Sequence, residues 1–144
     1  MRYFLILITT IILFSCSNDE FIDIDNMVWA KNKTYKISTN IKDKTNFKPH
    51  LLVRVIPDYP YQYLPLVIKL TDPSNNVFID TINVEILDSL GNFKGEALGD
   101  YGDIDTIIFK DYQFKEFGIY NYELINNMNT DIPFIMQIGI GYKK

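Results

Sequence analysis

The sequence predicts an all-β fold: an antiparallel β-sandwich, Ig-like or jelly-roll-like, of about seven or eight strands behind an N-terminal signal peptide. Three observations predict it. From Trp29 onward apolar residues recur at every second position, with no competing helical stripe. Groups of Asp, Asn, Ser, Gly and Pro break these runs every ~8–12 residues, the spacing of short antiparallel strands. Ahead of them, Arg2 and the apolar run from Tyr3 to Phe14 fall well short of the ~20 residues of a membrane-crossing helix. That run matches the apolar region of a secretory signal instead.

The boundaries follow from these segments: a lipoprotein signal peptide over 1–15, a lipidated tether over 16–28 and a sandwich domain over 29–144. A chain of 144 residues suits one such domain with a real core. Leu13-Phe14-Ser15-Cys16 resembles the bacterial lipobox. The resemblance implies cleavage after Ser15 and a diacylglyceryl group on the Cys16 sulfur. A single acyl chain binds a bilayer only marginally and two hold it stably, so the expected membrane partner is reached through acylated Cys16. Ser17-Asn18-Asp19-Glu20 is similar to the short acidic tether that directs some bacterial lipoproteins to the outer cell surface; a plain flexible linker explains it equally well.

The strands read in order. Tyr35 to Ile41 opens the pattern. Leu51 to Ile56 is apolar at nearly every position, as in a strand buried on both sides. Leu64, Leu66, Ile68 and Leu70 share one face, and Ile82, Val84 and Ile86 another. Ile107 to Phe114 reads as a strand, and Tyr120, Tyr122 and Leu124 again share a face. Phe134, Met136, Ile138, Ile140 and Tyr142 close the pattern. Asp72–Asn76, Asp88–Asn92 and Gly99–Asp103 carry turn chemistry between them, and Ile125 to Thr130 reads as a turn or short helix.

Composition removes most chemistry. The net charge of -4 gives no basic face for duplex nucleic acid. One cysteine excludes an intrachain disulfide or a thiolate-rich zinc site, and one histidine excludes a multi-histidine metal site. His50 has no sequence partner for a triad, and neither a nucleophile elbow nor a phosphate-binding glycine loop is present. No enzyme activity and no cofactor are expected. Asp100, Asp103 and Asp105 begin like a calcium loop but lack its closing glutamate, so turn chemistry accounts for them and no metal is expected.

Two stretches suggest contacts. In Pro57-Asp58-Tyr59-Pro60-Tyr61-Gln62-Tyr63-Leu64-Pro65 the prolines cannot donate to a ladder, which predicts a loop or edge. Tyr59, Tyr61 and Tyr63 are then partly exposed, ready to anchor a protein partner or stack on a glycan. Folding back over the end of the sandwich is the equal alternative. Lys31, Lys33, Lys36, Lys42, Lys44 and Lys48 crowd a short stretch, read as a solvated face, with anionic headgroups as the alternative.

The ordered set of Trp29, Asp58-Tyr59-Pro60-Tyr61, Leu64-Pro65-Leu66, Asp80-Thr81, Leu87-Asp88-x-x-Gly91-Asn92-x-x-Gly95, Leu98-Gly99-Asp100 and Phe117-Gly118-x-Tyr120 resembles the GldH family of gliding-motility lipoproteins. The resemblance implies a cell-envelope lipoprotein of the gliding apparatus, lipid-anchored in the outer membrane. It implies action through contacts with other envelope or gliding proteins beside type IX secretion, without catalytic residues. A surface lipoprotein whose sandwich binds glycans is the alternative.

Overall fold

A computed structural model describes residues 19–31, 33–42 and 47–143. The signal peptide and Cys16 lie outside the described residues. Among those described are eleven strands: β1 (Glu20–Asp23), β2 (Val28–Trp29), β3 (Thr34–Ile41), β4 (Lys48–Val55), β5 (Tyr63–Thr71), β6 (Val77–Glu85), β7 (Glu96–Leu98), β8 (Tyr101–Ile107), β9 (Gly118–Asn126), β10 (Ile132–Pro133) and β11 (Ile135–Lys143). A tight turn over Asp25–Met27, with Asn26 and Met27 on left-handed backbone, joins β1 to β2. No helix among the described residues is long and apolar enough to cross a membrane.

Every pairing is antiparallel. One sheet has the order β1-β11-β4-β8-β7, the other β3-β9-β5-β6, and β2 and β10 form a separate ribbon. Successive long strands alternate between the sheets except for β5 and β6, which are neighbours in one. This is the jelly-roll arrangement of two interlocked Greek keys, and it decides between the two sandwich types expected.

The inner faces form the core. Leu64, Leu66, Ile68 and Leu70 of β5 are fully buried, facing Leu51, Val53 and Val55 of β4 and Ile138 and Ile140 of β11 in the opposite sheet. On β9, Tyr120, Tyr122 and Leu124 are buried as their alternation predicts. The Tyr122 hydroxyl meets that of Tyr142 at 3.0 Å, and Tyr142 also bonds Thr39. Burial pushes the Tyr122 phenol well above its ordinary pKa.

Four expectations change. Residues 20–23, assigned to the tether, form β1 and pair with β11 from Glu20↔Ile140 to Asp23↔Gln137. The sandwich therefore begins within three or four residues of Cys16. In β4 only one face is fully buried; Leu52 and Arg54 are half-buried on the other. Ile107 to Phe114 is not a strand. Phe109 adopts a left-handed φ of 45°, which ends β8, and its amide turns to the Asp80 carboxylate at 3.3 Å. The apolar residues that follow form an aromatic lid: Tyr112 lies 4.8 Å from Phe78 and 5.1 Å from Phe114, whose ring sits 4.8 Å from Tyr120. Finally, a bulge between Ile135 and Gln137 shifts the register of β11. Ile135 faces inward, and Phe134 and Met136 leave the inner face.

Strand direction gives the sandwich two distinct ends. The entry end holds Asp19, the segment leading into β4, the β5–β6 turn, the lid over 108–117 and the end of β11. The distal end holds residues 24–33, 56–62, 86–92, the β7–β8 turn and 127–134.

Candidate functional site

The distal end carries an apolar surface built on the β2–β10 ribbon. Its register sets Trp29 opposite Ile132 and Val28 opposite Pro133. Trp29 is fully buried, donates from Nε1 to the Lys33 carbonyl at 2.8 Å, and lies edge-on to Tyr35 at 5.3 Å. The buried Asn126 ties the ribbon to the turn that follows β9. Its Nδ2 donates to the carbonyls of Trp29 at 3.3 Å and Thr130 at 3.1 Å, and its Oδ1 accepts from the Met128 amide at 2.7 Å.

With Trp29 inward, its neighbours point out. Met27, Val28 and Phe134 are 42%, 38% and 37% exposed, large for apolar side chains held on ordered backbone. Met27 and Phe134 also sit in the left-handed region, at φ 55° and 66°. That conformation costs an L-residue roughly 1–2 kcal/mol, and strain of this kind tends to concentrate at functional sites. The Phe134 carbonyl accepts from the Ile56 amide at 3.0 Å, which brings the 56–61 loop alongside. Further round the same end, Leu90 stands 84% exposed on a turn shaped by Asp88. The Asp88 carboxylate accepts from the Asn92 side chain at 3.0 Å and from the amides of Asn92 and Leu90, each at 2.8 Å. These bonds, those of Asn92 foremost, lower its pKa.

The three tyrosines separate. A turn with the Tyr59 amide bonded to the Ile56 carbonyl at 3.0 Å sends Tyr59 into the core, 2% exposed, so it is not the surface residue expected. Its hydroxyl donates to the Tyr63 carbonyl at 3.3 Å, and burial raises its pKa far above the ordinary phenol. Tyr61 is half-buried, edge-on to Tyr59 at 5.8 Å. Tyr63, at the start of β5, is 44% exposed.

Polar groups collect on the outer face of the five-stranded sheet. Arg54 forms a bidentate pair with Asp103, through Nε at 2.7 Å and Nη2 at 2.9 Å. It donates from Nη1 to Gln137 at 3.0 Å and lies 4.4 Å over the Tyr101 ring. Asp105 bonds both His50 and Lys143. Burial raises the Asp105 pKa, but the bonds from Lys143 and His50 outweigh it and hold the carboxyl low. A depression of about 570 Å³ runs beside this network. Arg54 is paired with Asp103 and Lys143 with Asp105 along it, and Asp19 and Glu96 also line it.

Asp103 and Asp105 thus belong to β8 and hold cations of the protein, while Asp100 occupies the β7–β8 turn. They do not converge as a calcium loop would. Among the described residues no group of three or more His, Cys, Asp or Glu side chains is placed to hold a metal. Sequence reasoning missed Met27, Val28 and Phe134. Alternation turned Phe134 inward, and the first two were assigned to the tether. The available signal was Met27-Val28-Trp29, three consecutive large apolar residues that no single face can bury.

A family model described as GldH lipoprotein matches residues 17–141. No curated protein sequence matches the chain. Among solved structures, a GH115 4-O-methyl-alpha-glucuronidase with specificity for decorated arabinogalactans aligns over 84% of this chain and 14% of its own, at 13% identity and a TM-score of 0.45. The serine protease of Aeromonas sobria aligns over 86% and 26%, at 14% identity and 0.38. A CBM35 from Cellvibrio japonicus aligns over 83% and 70%, at 11% identity and 0.40.

Proposed function

The chain belongs to the GldH lipoprotein family, and from that premise we propose that it is a non-enzymatic envelope protein of the gliding apparatus that works by binding other envelope proteins through its distal end. Family membership carries lipid anchoring to a membrane; Cys16, at the close of the lipobox-like segment, is the residue proposed to hold the lipid. The outer membrane is the proposed location, beside the type IX secretion machinery. The observation that carries the binding role is the exposed group Met27, Val28 and Phe134, two of the three on left-handed backbone. Large apolar side chains in such positions gain most when a partner covers them. The exposed Tyr63 and half-buried Tyr61 occupy the same end and extend the proposed contact.

The test is movement over a surface by a deletion strain of a gliding host, complemented with wild type, Cys16→Ala or Phe134→Glu. Deletion should stop movement and only wild type should restore it fully. Recovery of envelope proteins with the Phe134→Glu chain should fall at unchanged chain abundance. Movement that persists in the deletion strain refutes the gliding role. Retention of the lipid-free chain on a polysaccharide column, with protein recovery unaffected by Phe134→Glu, would move the glycan-binding reading ahead.

A further inference from the structure

The first described strand lies close in sequence to Cys16. Asp19 is the first described residue and β1 begins at Glu20. Three residues of chain reach at most about 11 Å, so a lipid on Cys16 brings the entry end to the headgroup layer.

That end carries a concentration of unpaired lysines. Lys42 follows β3, Lys48 opens β4 beside Lys143, and Lys110 and Lys115 flank the aromatic lid. All four of Lys42, Lys48, Lys110 and Lys115 are exposed and none forms a salt bridge among the described residues, whereas Lys33, Lys69, Lys94 and Lys143 each do. Lys48, Lys110 and Lys115 line one groove of about 470 Å³ with Phe47, Tyr112 and Phe114 beside them; Asp111 is the one carboxylate in it. Phe117 and Ile119, 54% and 55% exposed, stand at the same end. The distal loops carry Asp25, Asp58, Asp88, Asp100 and Asp131 against Lys31 and Lys33, while the entry end sets Lys42, Lys48, Lys110, Lys115 and Lys143 against Asp19, Asp72, Asp111 and Glu116. A chain of net charge -4 is repelled by an anionic bilayer in most orientations. Turning the lysine groove down sets three cations and one carboxylate against the headgroups.

We infer that the domain docks end-on upon anionic lipid headgroups of the membrane that anchors it, with Lys48, Lys110 and Lys115 taking a phosphate-bearing headgroup and Lys42 and Phe117 meeting the interface beside them. The inference rests on the reading that Cys16 carries the lipid. Docking stands the strands upright on the membrane surface and presents the distal apolar group at the greatest height. Each lysine near an anionic surface strengthens binding about fivefold, so reversing three lowers the docking equilibrium constant by at least ~100-fold.

The experiment uses the full-length acylated protein, reconstituted in vesicles of phosphatidylcholine alone or with one-third phosphatidylglycerol. Flotation reports anchoring, and amide hydrogen exchange over 108–117 reports docking. Wild type should float with both vesicles and show slowed exchange over 108–117 only on the anionic ones, an effect lost at high salt. The triple Lys48→Glu, Lys110→Glu, Lys115→Glu variant should float equally and show no slowing; the triple arginine variant should behave as wild type. These are exposed positions, and unchanged exchange in β5 confirms that the variants are folded. Flotation without lipid-dependent slowing, or slowing that survives the glutamate substitutions, overturns docking and leaves the anchor standing. Failure to float on either vesicle overturns the anchor, and docking with it.

Discussion

Replacing Trp29 by alanine removes the largest fully buried side chain of the domain, and with it the support of the distal surface. Truncating a buried Trp costs about 3–5 kcal/mol. Within that range fall the lost Nε1 bond to Lys33, about 1 kcal/mol, and the lost edge contact with Tyr35, about 0.5–1.5 kcal/mol. Trp29→Phe keeps a ring near Tyr35 but loses the donor and some volume, and should cost about half as much. For a domain of this size the alanine variant should melt roughly 10–20 °C lower. The assay is urea unfolding of the lipid-free chain followed by far-UV circular dichroism, because Trp29 is the sole tryptophan and its emission vanishes in both variants. A Trp29→Ala midpoint within about 1 kcal/mol of wild type would refute the reasoning. The indole would then not be packed as described, and the β2–β10 ribbon would owe its place to other contacts.

Two further outcomes test other parts of the fold. A Cβ on Gly95 would collide with the Asp103 carbonyl, backbone that cannot yield without unpairing β7 from β8, whereas Gly91 has open space and only a left-handed φ of 83°. Gly95→Ala should therefore lower the urea midpoint by more than Gly91→Ala, which should cost about 1 kcal/mol; the reverse order would contradict the packing. Asp105 is held below the ordinary aspartate range, since the bonds from Lys143 and His50 outweigh the cost of burial. Its contribution is present above the unfolded-state pKa and lost as pH falls through the folded one. Stability of the wild type should accordingly drop more steeply below about pH 4 than that of Asp105→Asn, and parallel profiles would show the pairs to be inert.

Where one face of a strand meets the core and the other meets water, the sequence states the strand openly. β5 and β9 are of this kind, and their inward residues were readable from alternation. β1, β2, β7 and β10 span two to four residues each, too few for any period to register. Ile107 to Phe114 misled because apolar residues in a lid over the end of a sandwich look like those of a buried strand. Phe134 misled through the bulge in β11: one extra residue inverts the alternation at Phe134–Met136 while Ile138 and Ile140 stay inward. The distal surface escaped for that reason, and because Met27 and Val28 lay in a segment taken for tether. The tyrosine run was only half legible. Its prolines announced a loop, but which ring turned inward depended on the turn at Ile56.

The pairing of β1 with β11 also sets an order in time. Residues 20–23 have as their partners residues 137–140, which any machinery that delivers the chain N-terminus first supplies over a hundred residues later. β11 sits between β1 and β4, so until it arrives β1 has no partner and β4 is paired on one side only, with β8. Topologies closed by such distant pairings fold slowly, and the waiting chain exposes sheet edges that invite wrong partners. Loss of β11 would take from β1 its partner and from β4 one of its two, a far deeper injury than trimming an edge. The domain therefore spends its most vulnerable interval with its first strand made and waiting, and closes only when β11 arrives.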